Sequence, residues 1–225
     1  MAPVRLVVFD CDGTLVDSQH AIVAAMQTAF DAHGLAAPGA LAVRRTVGLR
    51  LDEAVAQILP AGAEHHLQRV VATFREAATD LHAHPDHREP LYPGTREVLD
   101  ALAARGFALG VATGKSRRGL ITTLERHDIL PLFDTLKTAD DGPGKPNPRI
   151  LLDAMAETGA TPNTTIMIGD TTFDVAMAVR ARALSIGVAW GYHETNELVA
   201  AGAPRIAERF ADLPEIIAEL WESET

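Results

Sequence analysis

The residues best suited to chemistry fall at four places in the chain. The first is Asp10-Cys11-Asp12-Gly13, directly after the apolar run Leu6-Val7-Val8-Phe9. Two carboxylates two residues apart repel one another unless a positive charge lies between them. A hard cation such as Mg²⁺ takes oxygen ligands and commonly uses one or two carboxylates plus a substrate phosphate. Gly13 permits a positive φ, so a sharp turn can bring both acids to face one point. Alone, an Asp-rich turn at a strand end would read the same way. The second place is Thr113-Gly114-Lys115-Ser116, after Leu109-Gly110-Val111-Ala112. A hydroxyl and backbone amides at a strand end, with a helix starting behind them, suit a phosphate. The Gly-Lys-Ser is not a P-loop: position 109 is Leu where that motif needs glycine, and Gly110 comes one residue late.

The third place is Gly142-Pro143-Gly144-Lys145-Pro146-Asn147-Pro148. A lysine in so stiff a loop is positioned as a point charge, suited to a phosphate or to crowded carboxylates. The fourth is Ile166-Met167-Ile168-Gly169-Asp170, with Asp174 four residues on. It repeats the first pattern, an apolar run ending in acids. If a helix starts at Thr171, both acids lie near its first turn, where the helix dipole favours them. An N-cap aspartate would look the same.

These four places need elements that bring them together. Leu6 to Phe9 reads as a strand buried on both faces, as in a parallel sheet. Strands are expected again at 107–112, 135–138, 165–168 and 184–188, with helices at 93–105, 116–127, 147–158 and 171–181 and two short helices at the end. Such alternation implies βαβ units and an α/β, doubly wound parallel sheet. The stretch 17–90 has a different texture. A helix capped by Asp17 or Ser18 runs to about Gly34, and helical spacing follows over 40–46, 51–59 and 64–81, with no β-rich run. His82 to Pro90 is polar, carries two prolines and reads as a linker. The expected organisation is an α/β core of 1–16 and 91–225 with an all-helical insertion at 17–90. Leaving straight after the first strand, that insertion can act as a lid over the strand ends.

Composition narrows the class. At 225 residues, 47% apolar and 22% charged, the chain can bury a sizeable core. A formal net charge of −10 argues against a nucleic-acid binder. A single cysteine excludes an internal disulfide and suits a reducing cytosol. With no signal-peptide pattern and no long apolar span, the expectation is a cytoplasmic protein without a membrane partner.

Together, the four places in this order resemble the motifs of the haloacid dehalogenase superfamily, over essentially the whole chain and with its helical cap. Gly13-Thr14-Leu15-Val16-Asp17-Ser18 and Thr113-Gly114-Lys115-Ser116 narrow the likeness to the phosphoglycolate phosphatase and β-phosphoglucomutase branch. The resemblance implies an enzyme, a Mg²⁺-dependent phosphoric monoester hydrolase acting on a small phosphorylated metabolite. It implies Asp10 as nucleophile, giving an aspartyl-phosphate, and Asp12 as general acid and then base. Mg²⁺ would be held by the Asp10 carboxylate, the Asp12 backbone carbonyl and Asp170. Thr113 and the Gly114 amide would bind phosphoryl oxygens, Lys145 would neutralise charge, and Asp174 would support Lys145 or the metal. A phosphosugar mutase is the alternative. A dehalogenase would lack the second acid, and a non-catalytic relative would not keep the full set.

Other residues carry weaker expectations. Arg50, in Gly48-Leu49-Arg50-Leu51, is a candidate for substrate recognition, and Arg117 and Arg118 lie just past Thr113. Cys11 should point into the core, because strand side chains alternate. His82, His84 and His87 have ligand-like spacing but no acids arranged around them. Trp190 reads as packing. Arg182, where such relatives carry a helix-ending glycine, should occupy a left-handed position at some steric cost.

Overall fold

The computed structural model describes residues 3–84 and 88–223. Pro85, Asp86 and His87, inside the expected linker, lie outside the described residues. The strands are β1 (Leu6–Phe9), β2 (Ala108–Ala112), β3 (Thr135–Lys137), β4 (Thr165–Gly169), β5 (Leu184–Val188) and β6 (Arg205–Ala207). They form one sheet in the order β3-β2-β1-β4-β5-β6, every pair parallel. From β1 the chain winds outward to β3, then returns to β4 on the other side and winds out to β6. The strand order therefore reverses beside β1, and open α/β sheets bind ligands at the carboxyl ends of strands around such a point.

The sheet is covered on both faces. Val7 and Phe9 of β1 pack with Leu99 and Leu102 of α5 (Thr95–Ala104), Leu120 and Leu124 of α6 (Arg117–Arg126), and α10 (Leu213–Ser223). Leu6 and Val8 face the other way, onto α7 (Arg149–Thr158) and α8 (Thr172–Ala181). This alternation explains why β1 is apolar at every position: it has no solvent face. Cys11 is a fully buried free thiol in the first of these cores. Arg182 ends α8 in the left-handed conformation, at φ +59°. One strand escaped sequence reading. Where two final helices were expected, α9 (Thr195–Ala201) and α10 flank β6. Its three residues, Arg205-Ile206-Ala207, occupy a sheet edge and carry no β-rich run.

Between β1 and α5 the chain is helical: α1 (Gln19–Asp31), α2 (Ala40–Arg44), α3 (Leu51–Ile58) and α4 (Leu67–Ala83), with a 3₁₀ turn at Glu64–His66. These helices close on a core of their own, with Met26, Phe30, Val43, Val55 and Val70 at its centre. The outgoing and returning strands of chain run side by side. The Asp17 amide donates to the Pro90 carbonyl at 2.9 Å, and the Tyr92 amide donates to the Leu15 carbonyl at 3.0 Å. Among the described residues, no helix is long and apolar enough to cross a membrane.

Candidate active site

β1 and its neighbours β2 and β4 end side by side, and so bring three of the four sequence motifs to one place. Asp10 is fully buried. Its Oδ1 accepts from the Cys11 amide at 2.7 Å and pairs with Lys145 Nζ at 2.8 Å. Its Oδ2 is buried with no hydrogen-bond partner. Lys145, from the stiff loop before α7, is also fully buried and reaches Asp174 Oδ1 at 2.6 Å. The other Asp174 oxygen accepts from the Thr171 amide and hydroxyl at the start of α8. So Asp174 both caps α8 and braces the lysine.

Asp170 completes the cluster. Its Oδ1 accepts from the Thr14 hydroxyl at 2.8 Å and its Oδ2 from the Tyr192 amide at 2.9 Å. Gly13 takes φ +83°, and a Cβ there would run into the Asp170 carboxylate. Glycine is required at this turn for both conformation and space. Trp190 Nε1 donates to the Thr14 carbonyl at 3.1 Å, which anchors the same turn.

Ligand-capable oxygens of Asp10, Asp170 and Asp174 all lie within 4.8 Å of one another. Three buried carboxylates facing one ammonium leave excess negative charge in a dry site. Burial first, then the neighbouring acids, pushes the Asp10 carboxyl up to about 7 against Lys145, which lowers it. Burial, then Asp10 and Asp174, likewise holds Asp170 well above the usual carboxylate range. Burial alone would lower the Lys145 ammonium, but Asp10 and Asp174 outweigh it and hold it above its ordinary value. Excess carboxylate charge and an orphaned buried oxygen fit a hard divalent cation with oxygen ligands.

Asp12 faces elsewhere. Its Oδ1 accepts from Lys115 Nζ at 2.7 Å and from Ser18 Oγ at 2.6 Å, and Ser18 Oγ lies 3.2 Å from the Tyr192 hydroxyl. Lys115, well buried, is held in its charged form by Asp12 and then Glu89, which overcome the effect of burial. Sequence reading missed Lys115 and Ser18 as site residues. Ser18 does stand at the N-cap of α1, but its hydroxyl gives the helix no cap and serves Asp12 instead. Thr14 and Tyr192 were missed too, because their polar atoms meet Asp170 only once β1 and β5 flank β4.

Thr113 is buried beside Asp10 and Asp12 in the wall of one cavity, and its Oγ1 accepts from the Lys115 amide at 3.2 Å. The loop between α2 and α3 presses onto Gly114 so closely that a Cβ would strike the Leu49 and Gly48 carbonyls. Arg50 lines the cavity, but its Nη1 donates to the Ala139 and Gly142 carbonyls, both at 3.0 Å, and its Nε pairs with Asp52. The side chain proposed for substrate recognition is thus spent on tying the helical segment to the lysine loop. Arg117 is engaged in the same way: its Nη2 donates to Asp141 and to the Leu136 carbonyl, and its neighbour Arg118 lines the cavity mouth.

Comparison with known proteins gives the family. The family model for haloacid dehalogenase-like hydrolases matches residues 7–188. A protein of Dickeya dadantii named "Probable phosphatase IndB" is 37% identical over 92% of this chain and 91% of its own. A phosphoglycolate phosphatase of Vibrio vulnificus is 30% identical over 95% of this chain and 96% of its own. The crystal structure of a hydrolase from Pseudomonas syringae superposes with a TM-score of 0.84 at 26% identity, over 96% of this chain and 98% of that one.

Proposed function

The chain belongs to the haloacid dehalogenase-like hydrolases, and from that premise we propose that it is a Mg²⁺-dependent phosphatase that hydrolyses a small phosphorylated metabolite through an aspartyl-phosphate. The observation that carries this is the buried Asp10–Lys145–Asp174 chain beside Asp170, with one Asp10 oxygen unpartnered.

In this reading an Asp10 carboxylate oxygen attacks phosphorus, a P–O bond forms, and the ester P–O bond breaks. The leaving oxygen takes a proton from Asp12. Asp12 then takes a proton from water, whose oxygen attacks phosphorus, so inorganic phosphate leaves and the Asp10 carboxylate is restored. Thr113 and the Gly114 amide hold phosphoryl oxygens, and Lys145 offsets their charge. Asp10, Asp170 and the Asp12 main-chain carbonyl would hold Mg²⁺, with Asp174 supporting them. When bound, the ion supplies charge neutralisation and orientation for the phosphoryl group. Residues 17–90 serve as a lid that closes over the bound ester and holds it away from bulk solvent. Arg50, fixed to the opposing loop, is part of that closure.

Metal removal should act on stability as well as turnover. The unfolded chain releases the Asp10 proton near 3.8 and the folded chain holds it to about 7. Between those values the folded state binds more protons, so metal-free stability should fall as pH rises through that window. Melting curves in EDTA are expected to show that decline, and Mg²⁺ is expected to flatten it, raise Tm and restore phosphate release. Activity that survives exhaustive chelation would remove the metal from the scheme.

Lys115 has a separate signature. It fixes Asp12 through Oδ1, leaving Oδ2 to exchange the proton, and its ammonium meets the negative charge that appears as Asp12 lets the proton go. Poor leaving groups need that proton and good ones do not. Lys115→Met is therefore expected to slow alkyl phosphates by about 10²-fold, the lower end of general-acid contributions, and to spare 4-nitrophenyl phosphate. Equal losses on both would make Lys115 a phosphate binder instead.

A further inference from the structure

We propose that this site takes the phosphate ester of an apolar alcohol, with an alkyl or aryl body, in preference to a sugar phosphate or a short phosphorylated acid. The proposal rests on the phosphatase reading above and adds to it the chemical class of the substrate.

The cavity over the strand ends has a volume of about 600 Å³. Cavities of roughly 300–1,000 Å³ hold drug-sized molecules, so a two-carbon acid would leave most of the space empty. The floor is polar, formed by Asp10, Asp12, Thr113 and Lys115. The opposite wall comes from the helical segment and is built from Ile22, Met26, Val43, Leu51, Phe74 and Leu81. Most of these also belong to that segment's own hydrophobic core, so the cavity opens between its helices. Charged residues of the lining such as Arg75, Arg118 and Asp140 are exposed at its mouth. Several of the polar groups deeper in are already engaged. Arg50 holds two main-chain carbonyls and Asp52, and the Thr46 hydroxyl donates to the Val43 carbonyl. His82 and Glu89 pair with each other.

A substrate anchored by its phosphate at Asp10 must therefore extend its body against an apolar wall. Each hydroxyl carried to that wall gives up water without a replacement partner, at a cost of roughly tenfold in affinity or more. Each methylene carried there gains about fourfold. Both effects select the same body.

The n-alkyl phosphates from ethyl to hexyl test this, because leaving-group chemistry stays constant while length changes. With Mg²⁺, kcat/KM is expected to rise by about three- to fourfold per methylene and to overtake phosphoglycolate and glucose 6-phosphate. Ala78→Phe, which narrows the cavity on the α4 side, is expected to end the rise at a shorter chain. A flat or falling series, with either polar ester preferred, overturns the proposal and leaves the phosphatase reading standing. Binding of n-alkylphosphonates, read as the rise in Tm with Mg²⁺ present, decides the matter without turnover. A shift that grows with chain length upholds the proposal even if no ester is hydrolysed, in which case the phosphatase reading alone fails. A shift independent of length overturns it.

Discussion

Asp10→Asn is expected to abolish phosphate release, by a factor on the order of 10⁴ to 10⁶, as for loss of other enzymatic nucleophiles, while leaving the protein at least as stable as wild type. The two effects come from the same site. Asparagine matches aspartate in shape, and its amide oxygen can keep the bonds now made by Oδ1 to the Cys11 amide and Lys145. Its NH₂ replaces the orphaned Oδ2 with a donor, among acceptors on Asp170 and Asp174. One of three crowded carboxylates is gone, so the repulsion that adds to burial in raising the Asp170 pKa is relieved. The amide has no anionic oxygen to offer phosphorus. Turnover of any Mg²⁺-dependent ester and Tm in EDTA, measured on the same preparation, separate the outcomes. Turnover above a few per cent of wild type would remove Asp10 from the nucleophile's role. A Tm several degrees lower would mean that hydrogen bonding, not charge crowding, dominates there.

The same site shows how far local sequence reaches. The strand ends are legible because β1, β2 and β4 are short apolar runs followed by threonine or aspartate, the pattern of a strand buried on both faces. Asp10, Asp170 and Lys145 stand out for the same reason: each interrupts an apolar or proline-stiffened stretch with a charge. The partners of Asp12 were not legible. Lys115 lies in a turn that reads as a phosphate cradle, and only the parallel pairing of β1 with β2 brings it against Asp12. Ser18 carries a strong local signal, helix capping, that conceals its use; the hydroxyl goes to a carboxylate six residues back. Arg50 shows the limit from the other side. Its place between two helices made it a candidate for substrate recognition, but did not show the carbonyls it meets. Main-chain carbonyls at 139 and 142 are invisible to any reading of side chains. β6 was lost because an edge strand of three residues has too few apolar positions to register.

Lys145→Met is expected to cost both activity and metal-free stability, and the stability loss should grow with pH. Methionine keeps much of the apolar stem, so packing changes little, but the ammonium between Asp10 and Asp174 disappears. Removing one member of a buried ion pair typically costs about 3–5 kcal/mol, because the remaining charge is uncompensated. Here carboxylates remain, and they can escape that cost by holding protons. Without the lysine the folded-state pKa of Asp10 climbs beyond its already raised wild-type value, so more protons must be lost from the folded state as pH rises. Stability relative to wild type should therefore be closest at pH 5 and furthest apart at pH 8, measured as urea midpoints in EDTA. Mg²⁺ is expected to recover part of that difference, since in the proposed scheme it would bring positive charge to the same carboxylates. It should not recover turnover, which is expected to stay about 10²- to 10³-fold down, the scale on which a fixed group opposing transition-state charge acts. A variant equally stable at both pH values would show that Asp10 does not depend on Lys145 for its charge. A variant with wild-type kcat/KM would show that the ammonium serves folding alone.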